Sequence, residues 1–124
     1  MEEMEHLLKK IEEILTREPS YKFEAYSCAL AGLHFTVSRL PAARHVTGKE
    51  LSEGLRDYAL EQFGAMAKTV LEYWGIHSTK DFGKIVFLLI ETGLLRKTEE
   101  DSIQDFENVY DFDEAFKYDI KEEE

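Results

Sequence analysis

Cys28, His34, His45 and His77 are the side chains of this chain best suited to a metal centre, since thiolate and imidazole are the commonest zinc ligands. Their spacing does not assemble one. Cys28 and His34 stand six apart on one expected helix and point to different sides, and no CxxC, HxxxH or HxxE pattern occurs. A buried thiol with three surface or loop histidines is expected, with no metal and no cofactor. Asp111 and Asp113 share the two-residue spacing of a calcium loop, but the later oxygen ligands and the turn glycine are missing.

Thr47-Gly48-Lys49 invites comparison with a phosphate-binding loop. That loop needs a glycine five residues before Gly48 and a hydroxyl after the lysine, where this chain has Ala43 and Glu50. A helix start is the better reading. Nucleophilic catalysis at Cys28 is also disfavoured: the thiol sits beside Ala29 and Leu30 on an apolar stretch, and Glu24, one turn away, would oppose thiolate formation. No catalytic residue is assigned.

The most concentrated polar site is the loop from Arg39 to Lys49, which carries Arg39, Arg44, His45 and Lys49 and no acid. Together with the free N–H groups of the helix that follows, it is suited to an anion or an acidic partner. The plainer alternative is a solvated loop whose cations pair with the chain's own carboxylates. An enzyme reading would need a pocket gathering Tyr21, His34, Arg44, His45 and Trp74. A nucleic-acid reading would use residues 65–74, a turn and residues 79–92 as a helix-turn-helix, with Lys80 and Lys84 on the reading helix and Arg96 and Lys97 on a wing. Four cations beside a strongly acidic segment make nucleic acid a disfavoured partner.

These groups must be positioned by helices. Met4, Leu7, Leu8, Ile11, Ile14 and Leu15 recur every three or four residues, an amphipathic stripe that predicts a helix ending near Glu18, before Pro19. Ser20 can cap a second helix, in which Phe23, Tyr26, Leu30, Leu33, Val37 and Leu40 form a seam suited to an antiparallel bundle and Pro41 is the stop. The same seam could serve a homodimer. Thr47 with Glu50, Ser78 with Asp81 and Thr98 with Asp101 have the spacing of capping boxes. Helices are accordingly expected over 49–62, over 65–74 with Gly75 at its end, and over 79–92 with Gly93 just beyond. The last is apolar nearly all round and should be central. The aromatics at 106, 110 and 112, with Leu94 to Lys97, are compatible with a small β-hairpin.

At 124 residues with one cysteine, the chain is expected to be a single domain without a disulfide. The longest apolar run, Ile85 to Ile90, is far short of the ~20 residues of a membrane span, and no leader pattern opens the chain. The net charge of −11 is unevenly spread. Residues 1–18 carry −3 and residues 19–97 carry +2, whereas residues 98–124, with twelve acids against two bases, carry −10.

In combination, Arg44-His45-Val46-Thr47-Gly48-Lys49-Glu50-Leu51, Met66-Ala67-Lys68-Thr69-Val70-Leu71, Trp74-Gly75-Ile76, Asp81-Phe82-Gly83, Gly93-Leu94-Leu95 and Val109-Tyr110-Asp111-Phe112 resemble an uncharacterised family of small bacterial proteins. The resemblance covers about Tyr21 to Phe116. It implies a bacterial cytoplasmic setting and carries over no activity, cofactor or site residue.

The expected architecture is thus a mainly α, compact bundle of about five helices with a winged-helix-like second half. It comprises an amphipathic helix over 1–18, a helical core over 20–97 and an acidic segment over 98–124. The expected function is a small non-enzymatic protein-interaction or regulatory module. Its surfaces would be the basic loop around Arg44 and His45 and the acidic, aromatic-rich stretch from Asp105 to Asp119.

Overall fold

A computed structural model of the chain describes residues 2–42, 44–96 and 101–117. It is mainly helical, with no strand among the described residues. The helices are α1 (Glu2–Arg17), α2 (Phe23–Ser38), α3 (Gly48–Phe63), α4 (Ala67–Tyr73), α5 (Thr79–Glu91) and the one-turn α6 (Phe112–Ala115). Short 3-10 turns occupy Gly64–Met66 and Ile103–Phe106. No helix is long and apolar enough to cross a membrane among the described residues.

α1 buries Ile11 and Ile14 of its predicted stripe, while Met4 and Leu8 stay exposed. It packs on α2 and α5, and Lys10 Nζ donates to Thr92 O at 2.5 Å, placing a cation at the carboxyl end of α5. α5 is central as expected: Phe82, Ile85 and Leu89 are almost wholly inaccessible to solvent.

α2 departs from its predicted seam. Its buried residues are Ala25, Tyr26, Cys28, Ala29, Gly32 and Thr36, whereas Leu30, Leu33, Val37 and Leu40 are half-buried and Phe23 is exposed. The cause lies in α3. A Cβ on Gly54 would collide with Thr36 Oγ1, and one on Gly32 would collide with Leu55 Cδ2. The two helices therefore approach closely at Gly32 and Thr36 of α2, opposite Leu55 and Gly54 of α3, and bulky side chains are absent from that contact.

The predicted caps fare unequally. Thr47 forms its full capping box: its hydroxyl accepts from Glu50 N at 3.1 Å, and Glu50 Oε1 accepts from Thr47 N at 2.9 Å. Ser78 caps nothing with its side chain. Asp81 instead accepts from His77 N at 2.8 Å and from the Tyr21 hydroxyl at 2.5 Å, which ties the start of α5 to the approach to α2. Ser20 is likewise no cap, since α2 begins one residue after Lys22 and the Ser20 hydroxyl donates to Glu18. The Thr98–Asp101 box lies partly outside the described residues.

The expected hairpin is replaced by helical turns. Ser102 and Asp105 form a capping box over Ile103–Phe106, and Asp111 accepts from Glu114 N at 3.1 Å to start α6. These caps satisfy backbone donors locally, so there is no ladder for strands to form. They also turn Phe106, Phe112 and Phe116 into the core, where each is at most 6 % exposed. The winged-helix-like second half is therefore not supported: among the described residues no wing strand is formed.

Candidate functional site

A groove of about 240 Å³ opens where four parts of the fold converge: α2, the loop into α3, α5, and residues 95–96 with 101–106. Its walls are apolar, from Leu33 and Val37 on α2, Leu51 on α3, and Val86, Phe87 and Ile90 on α5. Phe106 closes it on the fourth side. The Phe106 ring lies against Gly48 and Gly83, where an added Cβ would come within 2.9 Å and 2.8 Å of its side chain. Gly48, read from sequence as part of a helix start beside Lys49, thus has a further role: it leaves space for an aromatic ring 58 positions later.

The rim of the groove is polar. Arg44, His45, Arg96, Asp101, Ser102 and Asp105 all contribute. His45 Nε2 lies 3.0 Å from Asp101 Oδ1 and 2.9 Å from Oδ2, so the basic loop and the acidic segment meet across the opening. Arg44 makes a two-pronged contact with Glu50, at 3.0 Å and 2.9 Å. This guanidinium, with the Thr47 N–H, holds the Glu50 carboxyl down to about 2, and the same pairing raises Arg44. Ser102 Oγ accepts from Gln104 N.

Of the four loop cations singled out from the sequence, Arg44 and His45 stand on the groove with carboxylate partners. Arg39 stands elsewhere: its guanidinium pairs with Asp57 at 2.8 Å and lies over the Phe35 ring. Lys49 is exposed in the first turn of α3. The plainer alternative for this loop, cations answered by the chain's own acids, thus describes three of the four.

The enzyme constellation does not converge. Only Arg44 and His45 of its five members line the groove. His34 is exposed on α2, Trp74 packs edge-on against Phe63, and Tyr21 is buried against Asp81. Burial, then the Asp81 contact, drives the Tyr21 hydroxyl far above its ordinary value. Cys28 is buried and its thiol is pushed up to about 11 by desolvation, which suits an inert packing residue. Among the described residues no group of three His, Cys, Asp or Glu is placed to hold a metal ion.

Lys80 and Lys84 are exposed one turn apart on α5, but Lys80 faces a polar cleft shared with Glu107, Asp111 and Asp113. Arg96 lies on the apolar groove instead of on a wing, and Lys97 lies outside the described residues. Of the described cations of the nucleic-acid reading, Lys80 and Arg96 thus line different concavities.

Sequence reasoning missed the apolar walls, above all Val86, Ile90 and Phe106. A usable signal was present: Ser102 and Asp105 repeat the box spacing recognised at three other places, and a helical turn there would have aimed Phe106 inward. No family model, curated protein or solved structure matches the chain.

Proposed function

We propose that the chain is a small non-enzymatic interaction or regulatory module whose recognition surface is the groove between α2, α3, α5 and residues 101–106. The observation that carries this reading is the meeting of the basic loop and the acidic segment around an apolar concavity, through His45 and Asp101. Apolar walls supply affinity and a few fixed polar groups supply orientation, the usual division of labour in binding sites. The same proposal includes a bacterial cytoplasmic setting, which the family resemblance implies.

Val37→Trp, which fills the groove from a half-buried position, tests it beside wild type and Glu24→Gln on an exposed part of α2. Affinity capture from the source cells should recover a partner with wild type and Glu24→Gln and lose it with Val37→Trp. Equal recovery by a folded Val37→Trp protein would refute the proposal.

Self-association is a second reading, favoured by one observation. Met66 and Tyr73 are 55 % and 72 % exposed, and Phe23 adjoins Lys22, whose ammonium lies over the Tyr73 ring. Sedimentation of wild type against Tyr73→Glu should show a dimer only in the former; two monomers would dismiss it.

A further inference from the structure

Taking the groove as the recognition surface, we infer that it binds a small amphipathic monocarboxylate, with its apolar body between α2 and α5 and its carboxylate on Arg96. This rests on the reading just proposed and specifies the ligand.

The charges of the rim decide the head group. Arg44 is engaged by Glu50 and His45 by Asp101. Arg96 is exposed, lines the groove, and has no carboxylate within ion-pair distance among the described residues. Its planar fork matches a carboxylate by two parallel hydrogen bonds. Asp105 stands on the same rim with its carboxylate accepting from Ser102 N, so the rim also holds negative charge. A dianion such as a phosphate monoester would meet more repulsion there than a monoanion.

Shape decides the body. Val37, Leu51, Val86, Ile90 and Phe106 come from four different parts of the fold and give the groove a mainly apolar wall. The volume of about 240 Å³ lies just below the ~300 Å³ at which drug-sized sites begin, which favours a medium-length chain or a single ring. A partner helix would need a row of anchor positions along an open channel. Here the apolar lining is gathered from α2, α3, α5 and the turn at Phe106 around a volume of only about 240 Å³.

The probe is octanoate, titrated into the full ¹⁵N-labelled chain, with octanol and octyl phosphate alongside. Octanoate should produce saturable shifts at Leu51, Val86, Ile90 and Phe106. Arg96→Gln should weaken octanoate about tenfold or more, as loss of a charged hydrogen bond implies, and leave octanol unchanged. Octyl phosphate should bind more weakly than octanoate. Absence of saturable shifts in the groove, equal octanoate affinity in wild type and Arg96→Gln, or tighter binding of octyl phosphate would each overturn the inference. If octanoate fails while Val37→Trp still loses a captured partner, the ligand class falls and the groove stands. If octanoate binds but Val37→Trp loses no partner, the ligand site stands and the protein-partner reading falls.

Discussion

The contact of α2 with α3 and the contact of residues 101–117 with the helical body both close the core, but by opposite means. The first brings two sixteen-residue helices together where side chains are missing, at Gly32 and Gly54. The second presses the Phe106 ring, from a four-residue turn, into the space left by Gly48 and Gly83, and buries Phe112 and Phe116 against each other, with Phe112 also beside Phe82. A long helix holds its own backbone, so it can pack through small residues and tolerate little added volume. A short capped turn has almost no stability of its own, so its position depends on the rings it buries.

The sharpest way to break this comparison is to remove the acidic segment. Ending the chain after residue 100 deletes three buried phenylalanines, each worth ~3–5 kcal/mol by large-to-small replacement in cores. Against a total stability of ~5–15 kcal/mol, thermal melts followed by circular dichroism should show no cooperative transition. A truncated protein that melts cooperatively near the wild-type temperature would mean the segment is a solvated tail after all.

Next comes Gly54→Ala. Helix propensity alone would favour alanine by ~1 kcal/mol, but the collision with Thr36 should reverse the sign and cost ~1–3 kcal/mol. Thr36→Ala in the same chain should return part of that loss, a coupling that denaturant titration of the four-member cycle would measure. Stabilisation by Gly54→Ala alone would dissolve the contrast. A smaller effect belongs to the cap of α3: Thr47→Ala should cost ~1 kcal/mol, because Glu50 N loses its acceptor.

The smallest is an effect of acid. Glu50 is held at about 2, chiefly by its hydrogen bond with Arg44, against an ordinary value of 4.5. A depressed carboxyl stabilises the fold fully above 4.5, and that contribution drains away as pH falls toward 2. Arg44→Gln should therefore flatten the acid limb of the melting temperature in that window alone. The pair is largely exposed, so the change will be slight. An unchanged acid limb would count against the pairing.

Much of the helical frame was legible in the sequence because helix starts and stops are local chemistry. Thr47 with Glu50, Gly75 and Gly93 mark their boundaries within a few residues. The buried face of α2 was not legible, because it depends on Gly54, which lies 22 residues beyond Gly32. The acidic segment misled for another reason. Its charge describes the outward side of each turn, while burial is decided by a phenylalanine every few residues, and no period of two or 3.6 runs through elements that short. Of the groove, the loop cations Arg44 and His45 were identifiable from residue type. The walls were not, since they come from positions up to 73 apart, as Leu33 and Phe106 are.

The Phe106 ring between Gly48 and Gly83 also bears on how the protein is made. About 25 residues separate the end of α5 from Phe116, which at ~5–20 residues per second takes roughly one to five seconds to synthesise. Until the fifteenth of those residues is added, the growing chain holds the whole α5 sequence but not yet Phe106. Before Phe106 is made, the space between Gly48 and Gly83 has no ring to fill it, so this part of the core is completed late in synthesis.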